Sequence, residues 1–581
     1  MPVSEVTIHK GGAWLIEDTS ATDAFFPERM TDEHALIRQT ADEFVTTEVA
    51  PVLDRLEQKD WALAKALVKR CGELGFLGTD VPEEYGGVAL DKVSAVIVGE
   101  AIGRTASFAT TFGAETGLAI TPLLCFGTEE QKQKYVPRLV TGELIGAYAL
   151  SESGSGSDAL GARSRATRQA DGSFVLNGEK MWITNGGFAD VFIVFAKVDS
   201  EQFTAFIVER TFEGVMTGKE EHKLGLHGSS TTPLILQDAK VPAANVLGEI
   251  GKGHKVAFNV LNYGRFKLAA MSSGGAREVI GEAAAYAAQR KQFGHPIASF
   301  GAIRHKLAEM AIREFAVEAM LYRTAGLIDG MVQGRHDNAS VLAALEEFAI
   351  EASILKVAGS EMLDYVVDEN VQIHGGNGFV RDYPAERHFR DARVNRIFEG
   401  TNEINRLLIP GMLVRRAVKG DLGLIPAARK LQDELLTPSM PEPAGGAALA
   451  NEHSAVRAMK KAALMILGTA MQTYGEKLSD EQEILSTAAD IIIDVFASES
   501  ALLRAVDADA LRQDAARVFV NDAASRVEIA SRTALAAMVE GDTLRTLLAA
   551  TRRIMKVTPA NTVAARRRIA DAVVEKRGYP F

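Results

Sequence analysis

The sequence has 581 residues, of which 47% are hydrophobic and 24% are charged. This length corresponds to about three or four domains, and together with the composition it excludes both a small binding module and a chain dominated by disorder. The net charge of −12, from 64 Lys and Arg against 76 Asp and Glu, disfavours nucleic acid as the main partner, because phosphate binding needs a basic surface.

The predicted elements change from helix to strand and back to helix. Residues 30–147 carry Ala/Leu/Glu/Lys-rich stretches typical of helices, whereas residues 148–248 contain short β-branched and aromatic runs that predict a small antiparallel sandwich or barrel. The helical pattern returns over residues 249–435. Prolines and glycines predict a linker at 436–446, and amphipathic patterns predict a further all-helical domain at 447–581. The predicted fold class is therefore α+β.

The chain shows no targeting or metal-binding signal. The first thirty residues mix acidic and basic side chains without an apolar run of signal-peptide length, which is typical of a cytoplasmic protein. No run of about 18 apolar residues predicts a membrane span. The two cysteines, Cys71 and Cys125, stand among apolar residues outside any zinc or disulfide spacing, so we expect buried thiols and no metal site.

Residues 148–158 (YALSESGSGSD) lie where helix gives way to strand. Their serines offer hydroxyl groups, and their small residues let backbone N–H groups approach a ligand. A plain polar turn is the alternative interpretation, because the segment matches neither the dinucleotide nor the phosphate-loop fingerprint.

Residues 177–187 (NGEKMWITNGG) place Trp182, one of only three tryptophans, between two turn signals. Thr184, two residues later, shares one face of a strand with Trp182, which sets a stacking plane beside a hydrogen-bond donor. The alternative is a hairpin with Trp182 in the core.

The densest cluster of polar residues spans 372–379 (QIHGGNGF), 384–393 (PAERHFRDAR) and 397–404 (IFEGTNEI). Glu399 precedes Gly400 and Thr401, and the threonine can cap a helix that begins near Asn402. A carboxylate on such a turn can project into a cleft, where desolvation raises its pKa toward the value that a general base needs. The alternatives are that Glu399 is a first-turn acid favoured by the helix dipole and that the charged run is a salt-bridged surface.

Together these segments resemble the flavin-dependent acyl-CoA dehydrogenases over residues 35–415. Five motifs carry the resemblance in family order and spacing: residues 151–158, 181–186 (MWITNG), 290–294 (RKQFG), 372–378 and 398–403 (FEGTNE). Residues 262–266 (NYGRF) and the C-terminal extension are most similar to the very-long-chain branch. The resemblance implies an N-terminal helical domain, a middle β domain and a four-helix bundle, followed here by the appended helical domain.

The family reaction implied by this resemblance is FAD-dependent α,β-dehydrogenation of medium to very-long-chain fatty acyl-CoA to trans-2-enoyl-CoA in fatty acid β-oxidation, with electron-transfer flavoprotein as acceptor. Glu399 would be the catalytic base that removes the α-proton. Some branches carry the base just before the arginine equivalent to Arg265, where this chain has Gly264, so Glu399 is favoured. Arg265 and Ser157 would contact the acyl-CoA substrate.

The resemblance also implies how FAD would be held. The first loop would supply Tyr148, Leu150, Ser151 and Ser157, and Trp182 and Thr184 would lie against the isoalloxazine. Thr401 and Glu403 would lie near the nucleotide. The diphosphate and adenine would be held across a subunit interface, so that each site is completed only in a homodimer, by Arg290, Gln292, Phe293, Gln372, Gly375 and Gly376.

Two features bear on affinity and substrate length. The family usually has Thr-Glu-Pro where residues 151–153 read Ser-Glu-Ser, and the loss of a proline that stiffens the loop predicts weaker flavin binding. One N-terminal helix is kept slender at the place where family members set the depth of the acyl pocket, which indicates medium to long chains; its small residues are Gly113, Ala114, Gly117 and Ala119.

The C-terminal segment is basic, although the chain is acidic. Residues 541–581 hold nine Lys and Arg against three Asp and Glu, a balance of 9 − 3 = +6 that leaves −12 − 6 = −18 for the rest. Such helices can lie peripherally on an anionic membrane, as in very-long-chain relatives, or simply cover the core.

Two rival functions stay open at this point. An acyl-CoA oxidase would use the same base with oxygen as acceptor, and an assembly or scaffold protein would keep only the shape of the dehydrogenase. The joint presence of Glu399, Trp182 and Arg290 argues against a scaffold, because a purely structural role needs none of their chemistries.

Overall fold

The computed structural model describes residues 9–335, 337–436 and 448–581. The predicted linker at 436–446 therefore lies, apart from residue 436, outside the described residues. The α+β fold class is confirmed, with helices before and after a central sheet and a further helical region after the bundle.

Seven α-helices precede the first strand. Asp91 caps the fourth of them by accepting a hydrogen bond from Ser94 N, and this helix is buried along its whole length because its side chains are almost all apolar. Two π-helical stretches interrupt the α-helices, at Val45–Val49 and Ala114–Ile120. The helices are α1 (Asp32–Phe44), α2 (Leu53–Glu57), α3 (Trp61–Glu73), α4 (Lys92–Gly103), α5 (Ser107–Gly113), α6 (Thr121–Phe126) and α7 (Glu129–Val140).

The middle of the chain forms one sheet of eight strands. They are β1 (Gly146–Ala149), β2 (Arg165–Arg168), β3 (Phe174–Thr184), β4 (Val191–Val198), β5 (Gln202–Glu209), β6 (Val215–Thr217), β7 (Thr231–Val241) and β8 (Val246–Leu247). The order is β6-β7-β3-β2-β4-β5-β8, with β1 also pairing with β4. Most pairings are antiparallel, as predicted, but β1 and β2 run parallel to β4.

The next helices form the bundle that carries the site. They are α8 (Gly253–Gln289), α9 (Gly301–Val332), α10 (Asn338–Glu347), α11 (Ala349–His374), α12 (Ala385–Ala392), α13 (Asn402–Lys419) and α14 (Leu424–Leu436), with a small hairpin of β9 (Lys291–Gln292) and β10 (His295–Pro296) after α8. Helices α8 and α11 run parallel in close contact, since Gly359 packs on Ala269 and the Tyr286 hydroxyl donates to the His374 carbonyl at 3.2 Å.

The appended region has five helices, α15 (Ala450–Tyr474), α16 (Gln482–Ala505), α17 (Ala510–Met538), α18 (Gly541–Ile554) and α19 (Thr562–Lys576). It shares one hydrophobic core with the bundle. Polar contacts join the two as well: Glu318 of α9 accepts hydrogen bonds at 2.6 Å from both Arg504 Nη1 and the Tyr579 hydroxyl. The appended helices therefore complete a buried charge cluster of the bundle.

Two basic residues of the C-terminal segment are bound within the fold. Arg566 pairs with Glu309 at 2.7 Å and Arg568 pairs with Asp514 at 2.6 Å. Within the described ranges, none of the helices has both the length and the apolar character needed to cross a membrane.

Candidate active site

Glu399 lies on a strained turn immediately before α13. Its φ is 57° and that of Gly400 is 77°, which is the left-handed region that non-glycine residues rarely adopt. Thr401 caps α13 by accepting a hydrogen bond from Ile404 N at 3.2 Å, as predicted. Two side chains hold the Glu399 carbonyl, Arg265 through Nε at 3.1 Å and Asn405 through Nδ2 at 3.4 Å. These contacts maintain the strained backbone that directs the carboxylate inward.

The Glu399 carboxylate faces α8 at Gly264. A Cβ atom at position 264 would lie 2.6 Å from Glu399 Oε2, so only glycine leaves room for the acid. Oε2 is buried and has no hydrogen-bond partner among the residues that the structure describes. Burial raises the pKa of Glu399 to about 7, while the positive charges of Arg265 and Lys356 oppose the rise. The arrangement supplies an unbonded carboxylate with the pKa of a general base near neutral pH.

Glu399 stands at one end of a mostly apolar cavity of about 110 Å³. The cavity follows one face of α8 from Gly264 to Val279, and its other walls come from the α5 region, α11 and α12. Gly113, Ala114 and Gly117 line it, as predicted, whereas Ala119 does not and instead packs against Gly146. Thr184 and Leu226 also face the cavity. Its shape and lining suit an alkyl chain.

Trp182 is an exposed residue near the same cavity, since Thr184, two positions later, lines it. Its exposed fraction is 57%, which excludes the interpretation that it is a core residue of a hairpin. The pairing of β3 with β7 shifts register between Lys180 and Ile183, and Trp182 has a φ of 58°. This bulge presents the indole to solvent as an open stacking surface, a feature that simple strand alternation does not predict.

The loop at residues 151–158 is fastened to the strand that carries Trp182. Ser151 accepts a backbone hydrogen bond from Met181 N at 2.9 Å. Glu152, which the sequence analysis did not single out, is buried and accepts hydrogen bonds from Lys180 Nζ at 2.7 Å and Ser164 Oγ at 2.6 Å. Burial opposes ionisation, but these partners lower the pKa of Glu152 to about 2. Tyr148 and Leu150 precede this fastening, and Ser157 is exposed beyond it.

A second group of predicted residues lies at the far ends of α8 and α11. Arg290 follows Arg265 by 25 residues, which is about 37 Å of helix at 1.5 Å per residue. The group is exposed, and Phe293 has an exposed fraction of 90%. It comprises Arg290, Gln292, Phe293, Gln372, Gly375 and Gly376. The structure thus brings these residues together but separates them from Glu399. Thr401 and Glu403 stay with Glu399 at the start of α13.

Lys356 is a member of the site that the sequence analysis missed. It is fully buried on α11, and its Nζ donates to Asn402 Oδ1 at 2.5 Å. Burial lowers its pKa to about 7, and the negative charge of Glu399 opposes the decrease. A lone lysine inside the apolar run Ile354-Leu355-Lys356-Val357 is the sequence signal that could have identified it.

Four known domain families match the chain. Acyl-CoA dehydrogenase N-terminal, middle and C-terminal domains match residues 31–143, 147–239 and 251–412, and another acyl-CoA dehydrogenase C-terminal domain matches residues 458–553. Helical, β and helical segments of the fold coincide with these matches.

Whole-chain comparisons agree with these domain matches. A probable acyl-CoA dehydrogenase of Bacillus subtilis is 48% identical over 98% of each chain. The crystal structure of an acyl-CoA dehydrogenase complexed with FAD from Bacillus anthracis has 47% identity and a TM-score of 0.97 over 99% of this chain and 100% of that one. The mitochondrial very long-chain specific acyl-CoA dehydrogenase of Bos taurus is 38% identical over 70% of this chain and 64% of its own length.

Proposed function

The chain belongs to the acyl-CoA dehydrogenase family of FAD-dependent oxidoreductases, and from that premise we propose that it converts medium to very-long-chain fatty acyl-CoA to trans-2-enoyl-CoA in fatty acid β-oxidation. One observation carries the proposal: an unbonded carboxylate with a pKa of about 7 stands at the end of an apolar cavity. This is the arrangement that abstraction of a weakly acidic α-proton requires.

Residues in both groups of predicted site residues, the one near the cavity and the one around Arg290, fit FAD. Trp182 offers an exposed indole for a planar ring, and Thr184 lines the adjoining cavity. Gly375 and Gly376 have open space where a Cβ atom would stand, which leaves backbone room for a dinucleotide. When bound, FAD supplies the acceptor for the hydride that leaves the β-carbon. We assign its contacts to Tyr148, Leu150, Ser151, Ser157, Trp182, Thr184, Arg290, Gln292, Phe293, Gln372, Gly375, Gly376, Thr401 and Glu403.

The chain's own residues perform the proton step in this proposal. Glu399 accepts the α-proton on its carboxylate. The negative charge that the carboxylate loses develops on the carbonyl oxygen of the thioester. The Glu399 backbone N–H donates no hydrogen bond to any residue in the described part of the chain, so it is free to donate to that oxygen. Arg265 keeps the turn in place through the Glu399 carbonyl and borders the acyl-CoA site together with Ser157.

The length of the cavity supports medium to long acyl chains. From Gly264 to Val279 its lining covers 15 residues of α8, or about 22 Å. Because an extended alkyl chain advances slightly less per carbon than a helix does per residue, this distance accommodates slightly more than 15 carbons, about 17. Three small residues keep the opposite wall thin: Gly113, Ala114 and Gly117.

A homodimer would complete the site in this proposal. The exposed group around Arg290 stands about 37 Å of helix from Arg265, which supports its serving the flavin site of a second copy. Phe293 within the group and Phe379 next to it in sequence are both exposed, and large exposed aromatics are typical of an interface. Electron-transfer flavoprotein is the proposed acceptor. Peripheral membrane contact of the C-terminal helices stays a prediction. The pairing of Arg566 and Arg568 with acids favours the alternative, in which these helices cover the core.

Flavin spectroscopy tests the proposal directly. We expect the purified protein to be yellow and to bleach without oxygen when acyl-CoAs are added, with the strongest response at about 14 to 18 carbons, given the helix length that the cavity follows. A colourless protein that FAD cannot reconstitute would contradict the proposal. Turnover that needs only oxygen would identify an oxidase, and a yellow protein that no acyl-CoA bleaches would identify a scaffold.

A glycine variant tests the length argument. Gly113→Leu places a bulky side chain in the cavity wall near Met271, seven residues along α8 from Gly264, so bleaching by the longest chains should decline while butyryl-CoA is less affected. Gly411→Leu is the matched control, because Gly411 lies on α13 with open space around its Cβ position and outside the cavity lining.

A further inference from the structure

The Lys356 ammonium is a charged group that the proposed reaction leaves unused. It is completely buried on α11, where an unpaired charge is costly. Within the described ranges it forms no ion pair, and its one hydrogen bond goes to the neutral amide of Asn402 at 2.5 Å. Such a site is maintained only if something nearby benefits from the positive charge.

Asn402 connects Lys356 to the Glu399 turn. Its Nδ2 donates to Glu361 Oε1 at 2.9 Å and to Ser360 Oγ at 3.1 Å, which directs its Oδ1 toward Lys356. Asn402 is the first residue of α13, three positions after Glu399. Lys356 therefore joins α11 to the start of α13, next to the strained turn that carries Glu399.

The charges around Glu399 come from several elements. Arg265 on α8 and Lys356 on α11 are the two cations that favour its ionised form. Burial raises the pKa of Tyr148 on β1, and the negative charge of Glu399 adds to the rise. Around Lys356, Glu399 is the foremost carboxylate, ahead of Glu403 on α13 and Glu361 on α11.

The two cations have different tasks. Arg265 directs Nε to the Glu399 carbonyl and Nη1 to Asn262 Oδ1 at 3.0 Å, so its guanidinium is engaged with the backbone and a neighbouring amide. Lys356 has a single neutral partner and no carboxylate in contact. Its charge therefore acts on Glu399 without blocking the carboxylate oxygens that must accept a proton.

We infer that Lys356 is a positioning residue for the base: its positive charge keeps the buried Glu399 carboxylate ionised before proton transfer, and its contact with Asn402 fixes the turn that aims the acid. The inference rests on the proposed function, because it assumes that Glu399 accepts the proton. The proton passes from the α-carbon to Glu399, and Lys356 neither gives nor takes a proton in this step.

Variants that separate charge from contact test this inference in the FAD-loaded enzyme. Lys356→Gln keeps a donor for Asn402 but loses the charge, Lys356→Met loses both, and Lys356→Arg keeps the charge. For Gln and Met we expect the acidic limb of the kcat/KM profile to move up by about one pH unit, which is about a tenfold loss on that limb. The arginine variant should leave the limb close to its original position.

Infrared titration of the Glu399 carboxyl, identified by comparison with Glu399→Gln, supplies a readout that does not depend on turnover. The carboxyl should remain protonated to higher pH in both neutral variants. Ser353→Ala is the matched control, because Ser353 is also buried on α11 but its hydroxyl donates only to the Ala349 carbonyl of the same helix, so the variant leaves Lys356 and Asn402 in place. In this control, the acidic limb of the kcat/KM profile and the midpoint of the infrared titration should both stay unchanged.

A uniform fall in kcat/KM across all pH values, with an unmoved infrared midpoint, would overturn the inference and leave Lys356 with a packing role. A midpoint that moves to lower pH would overturn it as well. Failure of the proposed function is distinguishable, since full turnover by Glu399→Gln would reject the base itself. Thermal unfolding and flavin content check that each variant folds.

Discussion

The two groups of predicted site residues differ in how complete they are within one chain. Around Glu399, Arg265 is buried and bonded to the turn, Lys356 is buried against Asn402, and an apolar cavity is already formed. Around Arg290 the side chains are exposed, and within the described ranges the guanidinium of Arg290 makes no hydrogen bond or ion pair, although its backbone bonds Tyr286 and Ile297. A single chain supplies all the residues of the first group. The second group has free donors and open glycines, which are expected of a surface that binds a ligand and a partner.

The largest expected effect tests whether the enclosed group performs the chemistry. Glu399→Gln preserves the shape of the side chain but removes the proton acceptor, so we expect turnover to fall by about a thousandfold or more. The variant should remain yellow, because the exposed FAD-binding group is unchanged. Stopped-flow measurement of flavin bleaching checks both points, and near-normal bleaching would reject Glu399 as the base.

The dependence of kcat/KM on pH gives a second test of the difference between the Glu399 group and the Arg290 group. Burial raises the pKa of Glu399 to about 7, and a base works only when ionised, so kcat/KM should fall about tenfold per pH unit below that value. FAD content measured in parallel should stay level, because the exposed group around Arg290 is separated from Glu399 by the length of α8. If kcat/KM stays constant down to pH 5, the pKa of Glu399 is lower than its buried position predicts.

The exposed group is tested by Arg290→Ala. Losing a free guanidinium that would hold a phosphate should weaken FAD retention about tenfold while leaving the reductive step of loaded enzyme nearly unchanged. Flavin loss on dilution, measured by fluorescence, gives the result. Arg532→Ala is the matched control, since Arg532 is also exposed but lies on α17 in the appended region. Equal flavin loss in both variants would contradict the assigned role of Arg290.

The smallest expected effect concerns the loop at residues 151–158. Ser153→Pro restores the proline that is usual in the family and should tighten FAD binding only about two- to fivefold, through reduced loop freedom. The gain is small because Glu152 already fastens the loop to Lys180 and Ser164. If fluorescence titration shows a much larger gain, this fastening is weaker than the contacts indicate.

Local signals predicted much of this molecule. Apolar periodicity and strand-like runs gave the order of helical, β and helical segments, and the sequence Glu399-Gly400-Thr401 gave the capped turn before α13. Gly264 was identified as lacking a carboxylate, but its actual contribution is space for Glu399, which only the packed structure reveals.

Contacts between distant residues escaped prediction. Lys356 and Asn402 are separated by 46 positions, and Glu152 and Lys180 by 28, so neither pair leaves a periodic signal. The bulge at Trp182 depends on the register of β3 with β7, which strand propensity does not specify. Ala119 was placed at the acyl pocket by its small size and by the family resemblance, although Gly146 is what packs against it.

The contacts of Glu318 impose an order on biosynthesis. Arg504 and Tyr579, which share its Oε2 atom, follow it by 186 and 261 positions. While the ribosome is still adding those residues, the acid lacks both partners, and helix α9 cannot reach its final electrostatic balance. The charge cluster is therefore completed only after translation has passed the appended region, and until then Arg277 of α8 is the cation that pairs with Glu318.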